Sequence, residues 1–265
     1  MKNYPAIIVG HTDPDLIAAL VDDFSPTAIE PRDNDVRVFF TSASDRDAAL
    51  RALHARFETS PVEVSDEDWA RRSQENLPPV VVGRLTVFAN PQSAIPNPGT
   101  IVIQASMGFG TGHHVTTRLC LEALQVIDLK GQEVLDVGTG SGVLAIAAAI
   151  LGATRSVGID SDADAIQSAR ENLALNPAGH DVTFLELDLT RDPLPAADVL
   201  TANLTGALLV RTAALLVAAV WFGGTLILSG LLAHERDEVY RAFDSMPVVW
   251  EREEDGWVGL AVKRT

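Results

Sequence analysis

Three glycines at alternate positions, Gly138, Gly140 and Gly142, separate a short apolar run from an Ala- and Ile-rich stretch of helical length, and a carboxylate, Asp160, ends the next apolar run. Glycine takes side chains away from a turn, so a ligand can lie against bare backbone there. A carboxylate at a strand end about twenty residues further on can accept hydrogen bonds from two ribose hydroxyls. These residue types at this spacing point to nucleoside binding. Two further polar residues end apolar runs in the same way. Asp188 follows Val182 to Leu187 and is placed to meet an adenine amino group, and Asn203 closes the run that starts at Asp198.

The glycine spacing narrows the ligand. A dinucleotide fingerprint, G-x-G-x-x-G, needs its third glycine at position 143, where the chain has Val143. The pattern G-x-G-x-G with Asp136 just upstream is read instead as a turn for S-adenosylmethionine. No pyrophosphate then needs the helix N-terminus, and the methionine end of the cofactor approaches the loop backbone. Asp136, Gly138, Gly140, Asp160 and Asp188 form the cofactor set expected from this reading.

The elements that position these residues follow from periodicity. Val134 to Val137, Ser156 to Ile159, Val182 to Leu187, Asp198 to Asn203, Thr225 to Ser229, Val248 to Arg252 and Gly256 to Lys263 read as strands. Helical patterns separate the first five, and the last two pair as an antiparallel finish. The expected fold is α/β: a doubly wound, seven-stranded, Rossmann-like sheet. The apolar run Ala207 to Phe222 reads as a buried helix, because Arg211 interrupts it and two glycines follow.

Upstream, residues 1–58 give strand, helix, two strands and a helix, the second helix capped by Ser44 or Asp45, with Val62 to Val64 as a possible closing strand. That order predicts a small N-terminal α+β ferredoxin-like domain. Residues 59–98 read as a linker, with Val80 to Phe88 as one strand, and residues 99–265 as the catalytic domain. Within that domain, just before its cofactor-binding strand, lies Met107 to Leu124, a glycine-rich loop leading into a helix from Val115, expected to cover the cofactor. His113 and His114 are adjacent, so their side chains diverge, and no carboxylate or cysteine stands at ligand spacing; no metal is expected.

The chain has 265 residues, a formal net charge of −16 and one cysteine, Cys120. The single cysteine excludes an internal disulfide, and the N-terminus lacks a signal peptide pattern, so a cytoplasmic protein is expected. The negative charge removes the counterion-release term that drives general nucleic-acid binding and suits a basic partner. Nothing demands an oligomer, and a monomer is expected.

The segments FGTGHHVTTRLCLEAL, DVGTGSGVLAIAA, GIDSDADAIQSARENLALN, TANL, GGTLILSGLL and GWVGLAVKR, in this order, resemble the ribosomal protein methyltransferases called PrmA, which methylate amines of ribosomal protein L11 with S-adenosylmethionine. The resemblance covers nearly the whole chain, and the FGTGHH loop is its most specific part. It implies that Phe109 and Gly110 line the cofactor loop and that Thr117 contacts S-adenosylmethionine. Gly138 would underlie the methionine portion, Asp160 would hold the ribose, and Asn203 would sit where methyl donor and acceptor nitrogen meet, as the catalytic residue. The small domain would recognise the substrate, and S-adenosylhomocysteine would be the product. The chain departs from the family at Gln104-Ala105-Ser106, where an acidic residue, Pro and Gly are usual, and at Leu204-Thr205-Gly206. Those departures bear on the acceptor, leaving another protein or a small amine as the alternative substrate and a non-catalytic binding module as the alternative of a different class.

Overall fold

Neighbouring strand residues of the larger unit bury in opposite directions. Val134, Val199, Ile227 and Ala261 pack with the helices Val115–Val126 and Val143–Ile150, whereas Leu135, Leu200, Leu228 and Val262 pack with the helices Gly206–Ala218 and Arg236–Ala242. Side chains alternate along a strand, so apolar residues at consecutive positions need cover on both faces of a sheet, and the helices supply it. The computed structural model describes residues 3–10, 12, 14–21, 24, 26–32, 35–40, 42–65, 78–95, 97–104, 113–177, 181–244 and 246–265. Two units divide the chain, Met1–Ser73 and Gln74–Thr265.

The first unit runs β1 (Asn3–Gly10), helix Pro14–Val21, β2 (Pro26–Pro31), β3 (Asp35–Phe40), helix Ala43–Leu53 and β4 (Thr59–Ser65). The strands form one antiparallel sheet in the order β2-β3-β1-β4. Ile7, Val9, Val36, Val38 and Phe40 bury against Ile17, Val21, Ala49 and Leu53 of the two helices. Ser42, two residues before the expected cap, closes the second helix by accepting from the Asp45 N–H at 3.2 Å. The unit runs beyond residue 58, because β4 is hydrogen-bonded along β1 from Asn3↔Ser65 to Val9↔Thr59.

The segment expected to be a linker therefore contributes to both units. In the second, β5 (Val80–Val82) and β6 (Leu85–Phe88) form a hairpin rather than one strand, because Gly83, at φ 55°, turns the chain back. The short β7 (Thr100–Val102), which the sequence did not reveal, lies parallel to β6. Val82, Leu85, Val87 and Ile101 of this three-stranded sheet, and Ile103 just after it, join the same core as the helix Val115–Val126.

The main sheet comprises β8 (Glu133–Val137), β9 (Arg155–Asp160), β10 (Val182–Glu186), β11 (Ala197–Asn203), β12 (Val220–Leu232), β13 (Val248–Glu254) and β14 (Trp257–Lys263), in the order β10-β9-β8-β11-β12-β14-β13. The first five are parallel, and β14 runs antiparallel to both neighbours. The expected doubly wound, seven-stranded sheet is thus the one observed. Its winding reverses between β8 and β11, and ligands in such sheets bind outside the carboxyl ends of the strands at that reversal. One expectation needs correction: the apolar run 207–222 is not all helix. The helix ends at Ala218, and Val220 starts β12, with Trp221 and Phe222 exposed. Among the described residues no helix is long and apolar enough to cross a membrane.

Candidate functional site

The turn after β8 is built from backbone that only glycine takes easily. Gly138, Gly140 and Gly142 have φ of 71°, 52° and 82°. A Cβ on Gly138 would fall 2.6 Å from Leu204 Cδ2, and one on Gly142 would fall 2.7 Å from Phe184 Cζ, so both the conformation and the space exclude a side chain. The Gly138 and Thr139 N–H groups both donate to the Ile159 carbonyl at 2.9 Å, which ties the turn to the end of β9.

Asp160, at that end, completes the arrangement. Its Oδ2 accepts from the Gly140 N–H at 3.0 Å and its Oδ1 from the Asp162 N–H at 3.1 Å. Each carboxylate oxygen keeps capacity for another donor, as a ribose diol would require. Asp162 in turn caps the helix Ala163–Ala174, accepting from the Asp164 N–H at 2.9 Å.

A cavity of about 590 Å³ opens over these groups, within the range of roughly 300–1,000 Å³ for small-molecule sites. Its walls include Thr117, Gly138, Gly140, Asp160, Asp188 and Asn203, so the structure brings together six of the residues singled out in the sequence. Phe109 and Gly110 lie outside the described residues, as do Ala105 and Ser106. Asp188 holds Thr190, accepting from its N–H at 2.8 Å and its hydroxyl at 2.7 Å, and these bonds set its carboxyl below the usual aspartate range. Asn203 Nδ2 lies 3.5 Å from Thr117 Oγ1, a long donor contact that leaves Oδ1 for another donor. Leu189, Leu204, Leu208 and Arg211 also line the cavity and were not expected to belong to the site. Leu189 and Leu204 follow the ends of β10 and β11, a position that would have found them, whereas Leu208 and Arg211 lie in the first two turns of the next helix.

Asp136, also singled out in the sequence, does not line the cavity; it is 1% exposed, with Oδ2 accepting from Thr139 Oγ1 and Oδ1 from Thr201 Oγ1, each at 2.6 Å. Its carboxylate braces the glycine turn from beneath and locks β8 to β11. Burial pushes this carboxyl up to about 6, opposed by hydrogen bonds from Thr139 and Thr201 that favour the ionised form. Nearby, burial also pushes the Cys120 thiol well above its ordinary range, which keeps it protonated and unreactive. Because folded Asp136 keeps its proton to higher pH than the unfolded chain does, its contribution to stability is greatest below the unfolded value near ~3.9 and is lost as pH rises through about 6. Urea denaturation of wild type and Asp136→Asn across pH is expected to show the wild type losing about 1 kcal/mol per pH unit relative to the variant in that window. Parallel profiles would refute this account.

The adjacent histidines have structural roles. His113 Nε2 lies 3.0 Å from the Pro78 carbonyl oxygen, and His114 caps the helix Val115–Val126 with its ring edge-on to Trp257. The cap sets the first turn from which Thr117 reaches the cavity.

Comparison with known proteins agrees with this geometry. The sequence model described as ribosomal protein L11 methyltransferase (PrmA) matches residues 17–265. A ribosomal protein L11 methyltransferase from Pseudomonas paraeruginosa is 41% identical over 211 residues, covering 76% of this chain and 69% of that protein. One from Geobacter sulfurreducens is 39% identical over 244 residues, covering 84% and 79%. Among solved structures, a ribosomal protein L11 methylase from Lactobacillus delbrueckii subsp. bulgaricus superposes with a TM-score of 0.58 at 29% identity, covering 63% of this chain and 86% of that one.

Proposed function

Because this chain belongs to the ribosomal protein L11 methyltransferase family, we propose that it transfers methyl groups from S-adenosylmethionine to lysine side-chain and α-amines of ribosomal protein L11. The observation that carries this reading is the convergence of a bare glycine turn, Asp160 and Asn203 on one cavity at the reversal of the sheet. The residues fit the cofactor: backbone at Gly138 and Gly140 for its methionine end, Asp160 for the ribose hydroxyls, and Asp188 with Leu189 for the adenine. Thr117 stands beside Asn203 at the donor end, and Phe109 and Gly110 belong to the loop assigned to the cofactor by resemblance.

The bound cofactor supplies an electrophilic methyl carbon on a sulfonium. What the chain must supply is position and exclusion of water. The acceptor lysine, ordinarily near ~10.4, has to present a neutral nitrogen; entry into a cavity beside a cation lowers its proton affinity, and the proton passes to water before the amine is enclosed. Asn203 Oδ1 then accepts an N–H of that amine and aims its lone pair at the methyl carbon. No aromatic residue follows Asn203 in Leu204-Thr205-Gly206, as stacking of a planar acceptor would need; an sp³ amine needs none.

We read the first unit as a ferredoxin-like substrate-recognition domain, supported by its β-α-β-β-α-β order and its strand order. The net charge of −16 suits a lysine-bearing basic substrate and disfavours nucleic acid. Glu251, Arg252 and Glu253 on the edge strand β13 oppose edge-to-edge pairing and support a monomer, which we place in the cytoplasm.

The test is incubation with labelled S-adenosylmethionine and unmethylated L11, read by intact mass. Gains in steps of one methyl group are expected. No gain, with cofactor binding established by calorimetry, would move the acceptor to another protein or a small amine.

A further inference from the structure

Two asparagines four positions apart leave the end of one helix for the interior, Asn172 at 1% and Asn176 at 4% exposure. Asn176 acts as a strand partner to β7: its Oδ1 accepts from the Val102 N–H at 2.8 Å and its Nδ2 donates to the Val102 carbonyl at 2.7 Å. Asn172 does something different. Its Oδ1 accepts from the Gln104 N–H at 2.8 Å, while its Nδ2 donates to the Ser141 carbonyl at 2.9 Å. Ser141 lies inside the glycine turn, between Gly140 and Gly142, and Gln104 opens the segment that leads toward Thr117.

We infer that Asn172 is a positioning residue for cofactor binding, its one amide fixing the glycine turn to the chain leaving β7. The geometry selects an amide at this position. The group must accept at one end and donate at the other, and a buried carbonyl and a buried N–H are satisfied together only by a side chain that does both. A carboxylate of the same shape would accept from Gln104 but would face the Ser141 carbonyl with a second acceptor. The turn carbonyl would then lose the Asn172 donor, and the Ser141–Gly142 peptide would keep the bond from the Gly142 N–H to the Thr139 carbonyl at 2.9 Å but lose its tie to the chain leaving β7. Asn176 provides the internal control, since it holds β7 by two bonds, donates also to the Asn172 backbone carbonyl at 2.6 Å and does not touch the turn.

This inference rests on the cofactor reading of the cavity, and the experiment separates the two. Binding of S-adenosylhomocysteine is measured by calorimetry for the full-length wild type, Asn172→Asp, Asn172→Ser and Asn176→Ala, with thermal unfolding of each. Asn172→Ser is smaller and removes both bonds without new repulsion, so it reports even where the aspartate variant does not fold. The Asn172 variants are expected to bind about tenfold more weakly, the loss typical of one buried hydrogen bond. They should also show a raised KM for S-adenosylmethionine with kcat at saturation nearly unchanged. Asn176→Ala should lower the melting temperature while its affinity stays near that of wild type. Wild-type affinity in both Asn172 variants, or an equal loss in Asn176→Ala, would overturn the inference and leave the function standing. A wild-type chain that binds no S-adenosylhomocysteine would overturn both.

Discussion

Asn203→Ala is expected to slow methyl transfer about a hundredfold at saturating substrates while changing cofactor affinity by no more than about threefold, because positioning errors act on the reacting geometry. The residue sits at the tip of β11, held by the Leu204 N–H donating to the Ser229 carbonyl at 3.0 Å, and by the close approach of Gly230, where a Cβ would fall 2.3 Å from the Leu204 oxygen. Its backbone is thus fixed from behind where the residue lines the cavity. Single-turnover kinetics with L11 and calorimetry with S-adenosylhomocysteine read the two quantities separately. Asn203→Asp adds a second signature. A carboxylate beside the acceptor would favour its protonated form, so activity should return only as pH is raised, and the rate profile should shift to the alkaline side of wild type. Full turnover by the alanine variant, or an unshifted profile for the aspartate, would remove Asn203 from the reaction.

Asp160→Ala is expected to weaken binding of S-adenosylhomocysteine about a hundredfold. Two losses combine. Two charge-assisted bonds to ribose hydroxyls disappear, each worth about 1.5–3 kcal/mol net of exchange with water, so even the low end of the pair accounts for a loss near a hundredfold. The N–H groups of Gly140 and Asp162 also lose their acceptor, which loosens the turn. Asp160→Asn keeps one acceptor oxygen and no charge, so its affinity should fall between the two. Calorimetry on the three proteins decides the matter: equal affinities would place the ribose elsewhere in the cavity.

The parts of this site that were legible in the sequence are those whose physics is local. Gly138, Gly140 and Gly142 announce a turn that no other residue makes easily, and Asp160 and Asn203 end apolar runs whose period already defines strands. What was not legible depends on residues far apart in the chain. Asp136 reads as a cofactor ligand from its place beside the glycines, yet its fate is set by Thr201, a partner 65 positions away. The three-residue strand β7 carries too little pattern to be seen, and the stretch from Val80 to Phe88 read as one strand because the turn at Gly83 is too short to interrupt it; both strands beside that turn and β7 share the core with the helix Val115–Val126. Trp221 and Phe222 extended a helical pattern in the sequence, but the sheet recruited them into β12. Asn172 and Asn176 look like ordinary polar positions late in an amphipathic helix, and only the approach of β7 explains why both are buried.

The position of β14 between β12 and β13 has a consequence for how the protein is made. Along the chain β13 comes first, but it cannot join the sheet directly, because its hydrogen-bonding partner is β14. During synthesis β12, with Leu226, Ile227 and Leu228 fully buried in the finished sheet, must wait with an open edge until Trp257–Lys263 has emerged. An apolar strand with unpaired backbone groups is a template for association with other chains. The interval between translation of β12 and of β14 therefore leaves the nascent chain open to association along this edge, and it closes when β14 pairs with β12.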